Sequence, residues 1–211
     1  MQVLYAVDDK RRLTEITLTS LEGWRASRPV RIGNAASQQF QLDMYGLVVE
    51  LSWRWSERGI FVESYGSDQV DAALLLLPGV DFVPFDDERM VRTTEVIRKE
   101  LSHEGLILRY RSVDGLPGQE GVFLACTFWL VECLARQGRR NEALRAFKQA
   151  VAAGNDLGLF AEQYDPRGRQ MLGNFPQGLT HLAHISAALA LNSARAGRAR
   201  SRTSRSRAAR G

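Results

Sequence analysis

One stretch of the sequence, residues 121–137, is apolar on nearly every side when it is drawn as an α-helix. Such a helix has no face that suits water, so the pattern predicts a helix buried inside a core. Gly138 predicts its end, and residues 141–154 then carry an apolar stripe on one side, with Asn141 as the predicted N-cap. The chain must therefore pack other elements around residues 121–137.

Other segments supply those elements. Apolar residues at helical spacing predict helices over residues 35–55, 86–103 and 180–192, and a short apolar helix that Ser67 caps and Pro78 closes. The pattern as a whole indicates a mostly helical domain of antiparallel helix pairs. Such pairs can form a bundle, stack as a solenoid or close into a ring.

Strand signals are few. Residues 3–7 and 13–18 have the composition of strands and predict a small N-terminal β-hairpin with its turn at residues 8–10. Residues 105–111 fit a short strand or an extended loop equally well.

Composition limits the kind of protein. No run of apolar residues approaches the roughly 20 that a membrane span needs, and the start of the chain lacks the pattern of a signal peptide. Cys126 and Cys133 lie seven residues apart on one predicted helix, which favours buried thiols over a disulfide. We therefore expect a cytoplasmic protein without a membrane partner.

The charge is concentrated at the C-terminus. Residues 194–211 hold seven arginines and no acidic residue, and without those seven the net charge of +4 becomes −3. The segment is rich in Arg, Ser and Ala, which predicts a disordered tail (194–211) after a single domain (1–193). The tail lacks aromatic residues, so we expect no specific nucleic-acid partner.

The polar residues between the last two predicted helices allow two interpretations. Glu162 begins this stretch and is either a general base or a solvated surface acid, and spacing alone favours the surface acid. A second cluster, with Arg109, Arg111, Asp114 and Glu120 around a glycine-rich loop, suits either sugar hydroxyls or surface ion pairs. His181 and His184 lack a third metal ligand nearby, and no nucleotide or phosphate loop is present, so no metal or cofactor is predicted.

Five segments, in this order along the chain, resemble the catalytic domain of glycoside hydrolase family 15, the glucoamylases and related trehalases. They are RRLTE (11–15), RPVRIGNAASQQFQLDMYG (28–46), FVESYGSDQVDAALLLLP (61–78), GLPGQEGVFLACTFWLVECLA (115–135) and AEQYDPRGRQMLGNFPQGLTHLAHI (161–185).

The resemblance implies a fold and a reaction. Family members are (α/α)6 barrels with the active-site loops at one end of the ring, and they hydrolyse terminal α-glucosidic bonds with inversion. The family's general base lies in a motif that matches residues 161–165, which makes Glu162 the expected base. Gln163 and Tyr164 in the same motif, together with Arg109, Tyr110 and Glu120, are the expected contacts to an α-glucoside or glucan.

One part of the family pattern is not matched. The general acid of the family lies between the segments that resemble residues 28–46 and 61–78, and here residues 48–57 join those segments almost directly. The resemblance therefore implies an all-α, incomplete (α/α)6 barrel that is internally shortened and of doubtful activity. An opened ring exposes apolar helix faces, which predicts self-association. The alternative is a non-catalytic carbohydrate-binding or helical interaction module.

Overall fold

A computed structural model describes residues 14–22, 28–32, 59–63, 68–111 and 121–208, with side chains described as far as Ser193. The chain divides into two compact units, Met1–Glu50 and Leu51–Gly211.

The first unit contains one small antiparallel sheet. Its strands are β1 (Ile16–Thr17) and β2 (Arg31–Ile32), in which Ile16 lies opposite Ile32. The predicted strand over residues 3–7 and the predicted helix over residues 35–55 lie outside the described residues. The partner of β1 among the described residues is a segment that the sequence analysis had not assigned to a strand.

The second unit is built around α2 (Leu124–Arg136), whose side chains are all buried except those of Glu132 and Arg136. This confirms the prediction of a helix buried inside a core. Four helices pack against α2: a 3-10 helix (Ala72–Val80), α1 (Glu88–Glu100), α3 (Arg140–Val151) and α4 (Gly178–Ala208).

Two predicted N-caps were wrong. The 3-10 helix is capped by Asp71, whose side chain accepts a hydrogen bond from the Ala73 N–H, and Ser67 lies outside the described residues. Pro78 lies inside this helix rather than after it. The helix α3 begins at Arg140, one residue before the predicted cap Asn141. The link after α2 is short and turns back on the end of that helix, where the Arg139 N–H donates to the Leu134 carbonyl at 2.8 Å.

The second unit also contains short strands, so the all-α expectation needs correction. The strands β3 (Ser102–His103) and β4 (Leu106–Ile107) form a hairpin at the end of α1. A further antiparallel sheet has the order β5 (Val122–Phe123), β6 (Gln163–Asp165), β7 (Gln170–Leu172). Strands of two or three residues leave almost no alternating pattern in a sequence, which is why this second sheet was not predicted.

The last helix is longer than predicted. Its backbone continues from Gly178 to Ala208, through most of the segment that was expected to be disordered, since Ala and Arg are good helix formers even where an apolar stripe is absent. Its first half leaves an apolar stripe in water at intervals of three and four residues. The stripe consists of Leu179, Leu182, Ile185 and Leu189, which are 44 to 65% exposed.

Both cysteines are buried free thiols on α2, as expected. Within the part of the chain that the structure describes, no helix combines the length and the apolar character that crossing a membrane requires.

Candidate active site

Glu162 immediately precedes β6, at the N-terminal end of the buried helix α2. Its carbonyl accepts a hydrogen bond from the N–H of Leu124, the first residue of α2, at 3.3 Å. Its own N–H donates to the carbonyl of Asn174 at 2.9 Å. The main chain of the predicted base is therefore held between a helix start and the strand connection that follows it.

The two residues before Glu162 are held by the first turn of α4. The Phe160 carbonyl accepts from the Gln177 N–H at 2.9 Å, and the Ala161 carbonyl accepts from the Thr180 hydroxyl at 3.1 Å. The Phe160 N–H donates to Nε2 of His181 at 3.2 Å. Glu162 thus sits where the N-terminal ends of α2 and α4 meet.

The carboxylate of Glu162 has one dominant partner. Its Oε2 accepts hydrogen bonds from both the backbone N–H of Asn174 (3.1 Å) and the side-chain amide of the same residue (2.8 Å). Gly173 allows this contact, because a Cβ at that position would lie 2.9 Å from Oε2. The sequence analysis did not single out Asn174, since spacing gave no sign of its pairing with Glu162.

Gln163 and Tyr164, both expected to contact sugar, are half-buried residues of β6. Gln163 Oε1 accepts from the Gly121 N–H at 3.3 Å, and Tyr164 lies between Val122 of β5 and Met171 of β7. These contacts fix the sheet that carries Glu162.

Arg109 follows β4 and pairs with a buried acid that the sequence analysis did not single out. Its Nε donates to Oδ1 of Asp71 at 2.8 Å, and its carbonyl accepts from the Ala72 N–H at 2.8 Å. Burial alone lowers the pKa of the Arg109 guanidinium, but the charge of Asp71 and this hydrogen bond more than reverse that effect, so the pKa is raised. Arg109 is therefore a fixed cation. Its neighbour Tyr110 is half-buried, and Glu120 lies outside the described residues.

The segments that carry Arg109 and Glu162 are both hydrogen-bonded to the first turn of α2. The strand β4 is held by the hydrogen bond from the Ile107 N–H to the Thr127 hydroxyl at 3.0 Å, three residues after the Leu124 contact of Glu162. Burial raises the pKa of the Cys126 thiol well above its ordinary value, the charge of Arg109 opposes this rise, and Asp71 adds to it. Cys126 therefore stays a protonated thiol beside the Arg109–Asp71 pair.

The two histidines pack against aromatic residues of the core. His181 accepts the Phe160 N–H, and His184 stacks on Phe147 with ring centroids 5.3 Å apart and also contacts Phe128 and Phe160.

The sequence also matches a known family of proteins. The model of a family described as Glycosyl hydrolases family 15 matches residues 53–189, which is more than half of the chain. Among curated proteins, the chain is 30% identical to the trehalase of Thermoplasma volcanium, over 92% of this chain and 46% of that protein. It is also 30% identical to the trehalase of Mycobacterium tuberculosis, over 89% of this chain and 41% of that protein.

The chain spans less than half the length of these curated relatives. The two alignments run over 285 and 279 positions, more than the 211 residues of the chain. Segments of each relative inside the matched region therefore have no counterpart here, and the chain is internally shorter than both.

Solved structures show the same fold. A wild-type glycosidase superposes with a TM-score of 0.59 at 23% identity, over 68% of this chain and 42% of that chain. A glycosidase variant in complex with glucose gives a TM-score of 0.57 at 22% identity, over the same shares of the two chains.

Proposed function

The chain belongs to glycosyl hydrolases family 15, and from this premise we propose that it carries the base side of an inverting α-glucosidase site. The observation that supports this most directly is the fixed carboxylate of Glu162, with Oε2 held by Asn174. This leaves Oε1 as the oxygen to act on a water molecule. The two trehalase relatives make trehalose the first substrate to consider, with other terminal α-linked glucose units after it.

The proposed reaction is a single displacement. Glu162 Oε1 takes a proton from water while the water oxygen bonds to the anomeric carbon, and the bond from that carbon to the leaving oxygen breaks on the opposite face. Arg109, Tyr110, Glu120, Gln163 and Tyr164 are the proposed contacts to the sugar. The expected product is β-glucose, because attack from the opposite face inverts the configuration.

The leaving oxygen needs a proton, and the segment that would carry the general acid is unmatched in this chain. Loss of a positioned acid costs about 10²–10⁴-fold in rate, so hydrolysis of an ordinary glucoside should be slow. Fluoride leaves without a proton, so α-glucosyl fluoride tests the base side of the site by itself.

A second candidate follows from the same observation. The hydrogen-bonding groups around Glu162 and Arg109 are present although the segment that would carry the general acid is unmatched, which favours a carbohydrate-binding module without turnover.

With either function, we propose that the helices form part of an (α/α)6 ring and that the exposed stripe on α4 pairs with the same stripe of a second copy.

The test is hydrolysis of α-glucosyl fluoride and of trehalose, with the product anomer read by proton NMR. Wild-type protein should release β-glucose from the fluoride, and Glu162→Gln should abolish the release. Glu132→Gln, near the C-terminal end of α2 and paired with Arg136, is the matched control and should keep the activity. Equal rates in wild type and Glu162→Gln would contradict the assignment of the base, and glucose binding without release would favour the binding module.

A further inference from the structure

Asp71 is a buried acid that serves two hydrogen-bond donors with one oxygen. The residue is 6% exposed. Its Oδ1 accepts from the Ala73 N–H at 2.6 Å, which caps the 3-10 helix, and from Arg109 Nε at 2.8 Å. A carboxylate this deeply buried is tolerated only with such partners.

The bond from Arg109 to Asp71 differs from the two-bond geometry of two other arginine–acid pairs in this unit. Arg89 donates two parallel hydrogen bonds to Asp87, from Nε to Oδ1 (2.9 Å) and from Nη2 to Oδ2 (2.8 Å). Arg139 donates to Glu142 in the same way, from Nε to Oε1 at 2.9 Å and from Nη2 to Oε2 at 2.6 Å. Such forks use the full geometry of the guanidinium and are the usual form of a strong pair.

Arg109 makes no such fork. It is held through Nε, and no described residue accepts a hydrogen bond from its Nη1 or Nη2. The side chain of Arg109 is 30% exposed, so these outer donors are not sealed inside the core. A guanidinium has five N–H donors in a rigid plane, and four of them have no acceptor among the residues that the structure describes.

The position of this pair fits such an acceptor. Arg109 and Asp71 lie beside Cys126 in the first turn of α2, the turn that also bonds to the Glu162 main chain through Leu124. The bond from the Ala72 N–H to the Arg109 carbonyl fixes the register between the two segments.

We propose that Asp71 is a positioning residue, which holds Arg109 by Nε so that the Nη donors face the hydroxyl groups of a bound glucose unit. This inference rests on the proposed function. The inference adds a source of sugar specificity to that function. Two neighbouring hydroxyl groups of glucose can accept hydrogen bonds from the two Nη groups, and a sugar that lacks one of those hydroxyls cannot accept both.

Two variants separate positioning from helix capping. Serine caps helices about as well as aspartate but is too short to reach Arg109, so Asp71→Ser should keep the cap and lose the contact. Asp71→Asn keeps the contacts to the Ala73 N–H and to Arg109 but removes the negative charge. It replaces Asp71→Ser in the test if circular dichroism shows that Asp71→Ser does not fold. Asp87→Asn is the matched control, because Asp87 is also an N-cap that pairs with an arginine.

The measurement is the Kd for glucose by NMR titration. Asp71→Ser and Arg109→Lys should each weaken binding about tenfold, and Asp71→Asn about threefold, since a hydrogen bond to a charged group is stronger than a neutral one. The double variant Asp71→Ser/Arg109→Lys should lose no more than either single variant, and Asp87→Asn should bind like wild type.

The outcomes are distinct. Unchanged glucose affinity in both Asp71→Ser and Asp71→Asn, in a protein whose Arg109→Lys variant binds weakly, would overturn the positioning role and leave the proposed function standing. Additive losses in the double variant would also overturn it. Absence of glucose binding in the folded wild-type protein would overturn the proposed function, and the positioning role with it.

Discussion

Glu162 and Asn174 lie twelve residues apart in sequence and face each other across the β6–β7 hairpin, where one residue supplies two donors to the same carboxylate oxygen. Asn174→Ala removes the side-chain amide and keeps the backbone N–H. We expect hydrolysis of α-glucosyl fluoride to fall about tenfold, because a base that can rotate spends less time aimed at water. Initial rates measure the effect. Asn192→Ala, on an exposed part of α4, is the control and should not change them.

Gly173 and Gly158 form a natural pair of test positions. Both have a positive φ, +72° and +73°, so alanine strains the backbone equally at either site, by about 1–2 kcal/mol. A Cβ at Gly173 would lie 2.9 Å from Glu162 Oε2, whereas a Cβ at Gly158 meets nothing within 4 Å. We expect similar losses in the free energy of unfolding from both variants, measured in urea, and loss of hydrolysis from Gly173→Ala alone. Full activity in Gly173→Ala would show that the carboxylate does not need its present position.

The aromatic cluster around His184 should make stability depend on pH. Burial lowers the pKa of His184 below its ordinary value of 6.5, and the neighbouring His181 lowers it further. The unfolded chain therefore takes up this proton at a higher pH than the folded chain, and the free energy of unfolding should fall as the pH decreases below about 6.5. Urea unfolding between pH 7.5 and pH 5 measures the slope, above the range in which most carboxylates titrate.

His184→Phe removes the titrating group and keeps an aromatic ring of similar size in the cluster. The slope between pH 7.5 and pH 5 should become shallower in this variant. An unchanged slope would mean that another group causes the dependence.

The apolar stripe on α4 predicts self-association. Leu182 and Leu189 are 65% and 61% exposed on the same side of the helix, and pairing two copies there removes apolar surface from water. Leu182→Lys should lower the weight-average mass in light scattering at a given concentration. Leu157→Lys is the control, because Leu157 is 77% exposed but lies in a loop away from the stripe. A wild-type protein that stays monomeric at all concentrations would refute the pairing.

The helices were predictable because their patterns are strong and local. Residues 121–137 contain α2 with a few residues to spare, and residues 86–103 contain α1, which Asp87 caps and which ends at Glu100. The errors lie at the ends, where two candidates compete. Asp71 rather than Ser67 caps the 3-10 helix, and nothing local ranks one above the other, because the choice depends on the tie to Arg109.

The proposed base could be named from the sequence, whereas the residues that hold it could not. Glu162 emerged from a five-residue motif, and spacing alone had favoured a surface acid. Asn174 contacts Glu162 across twelve residues, and Asp71 contacts Arg109 across 38 residues. The strands next to these contacts are too short to leave a pattern in the sequence. The motif therefore nominated the proposed base but not the groups that hold it.

The anchoring of the segment around Glu162 to the first turns of α2 and α4 bears on how the proposed activity would be lost. A catalytic group on a free loop can be inactivated by local fraying while the rest of the molecule stays intact. Here the base can leave its place only when the two helices separate, and α2 is the centre of the core. Heat or denaturant should therefore abolish function at the same midpoint at which the helices melt, so that inactivation reports global unfolding of this unit.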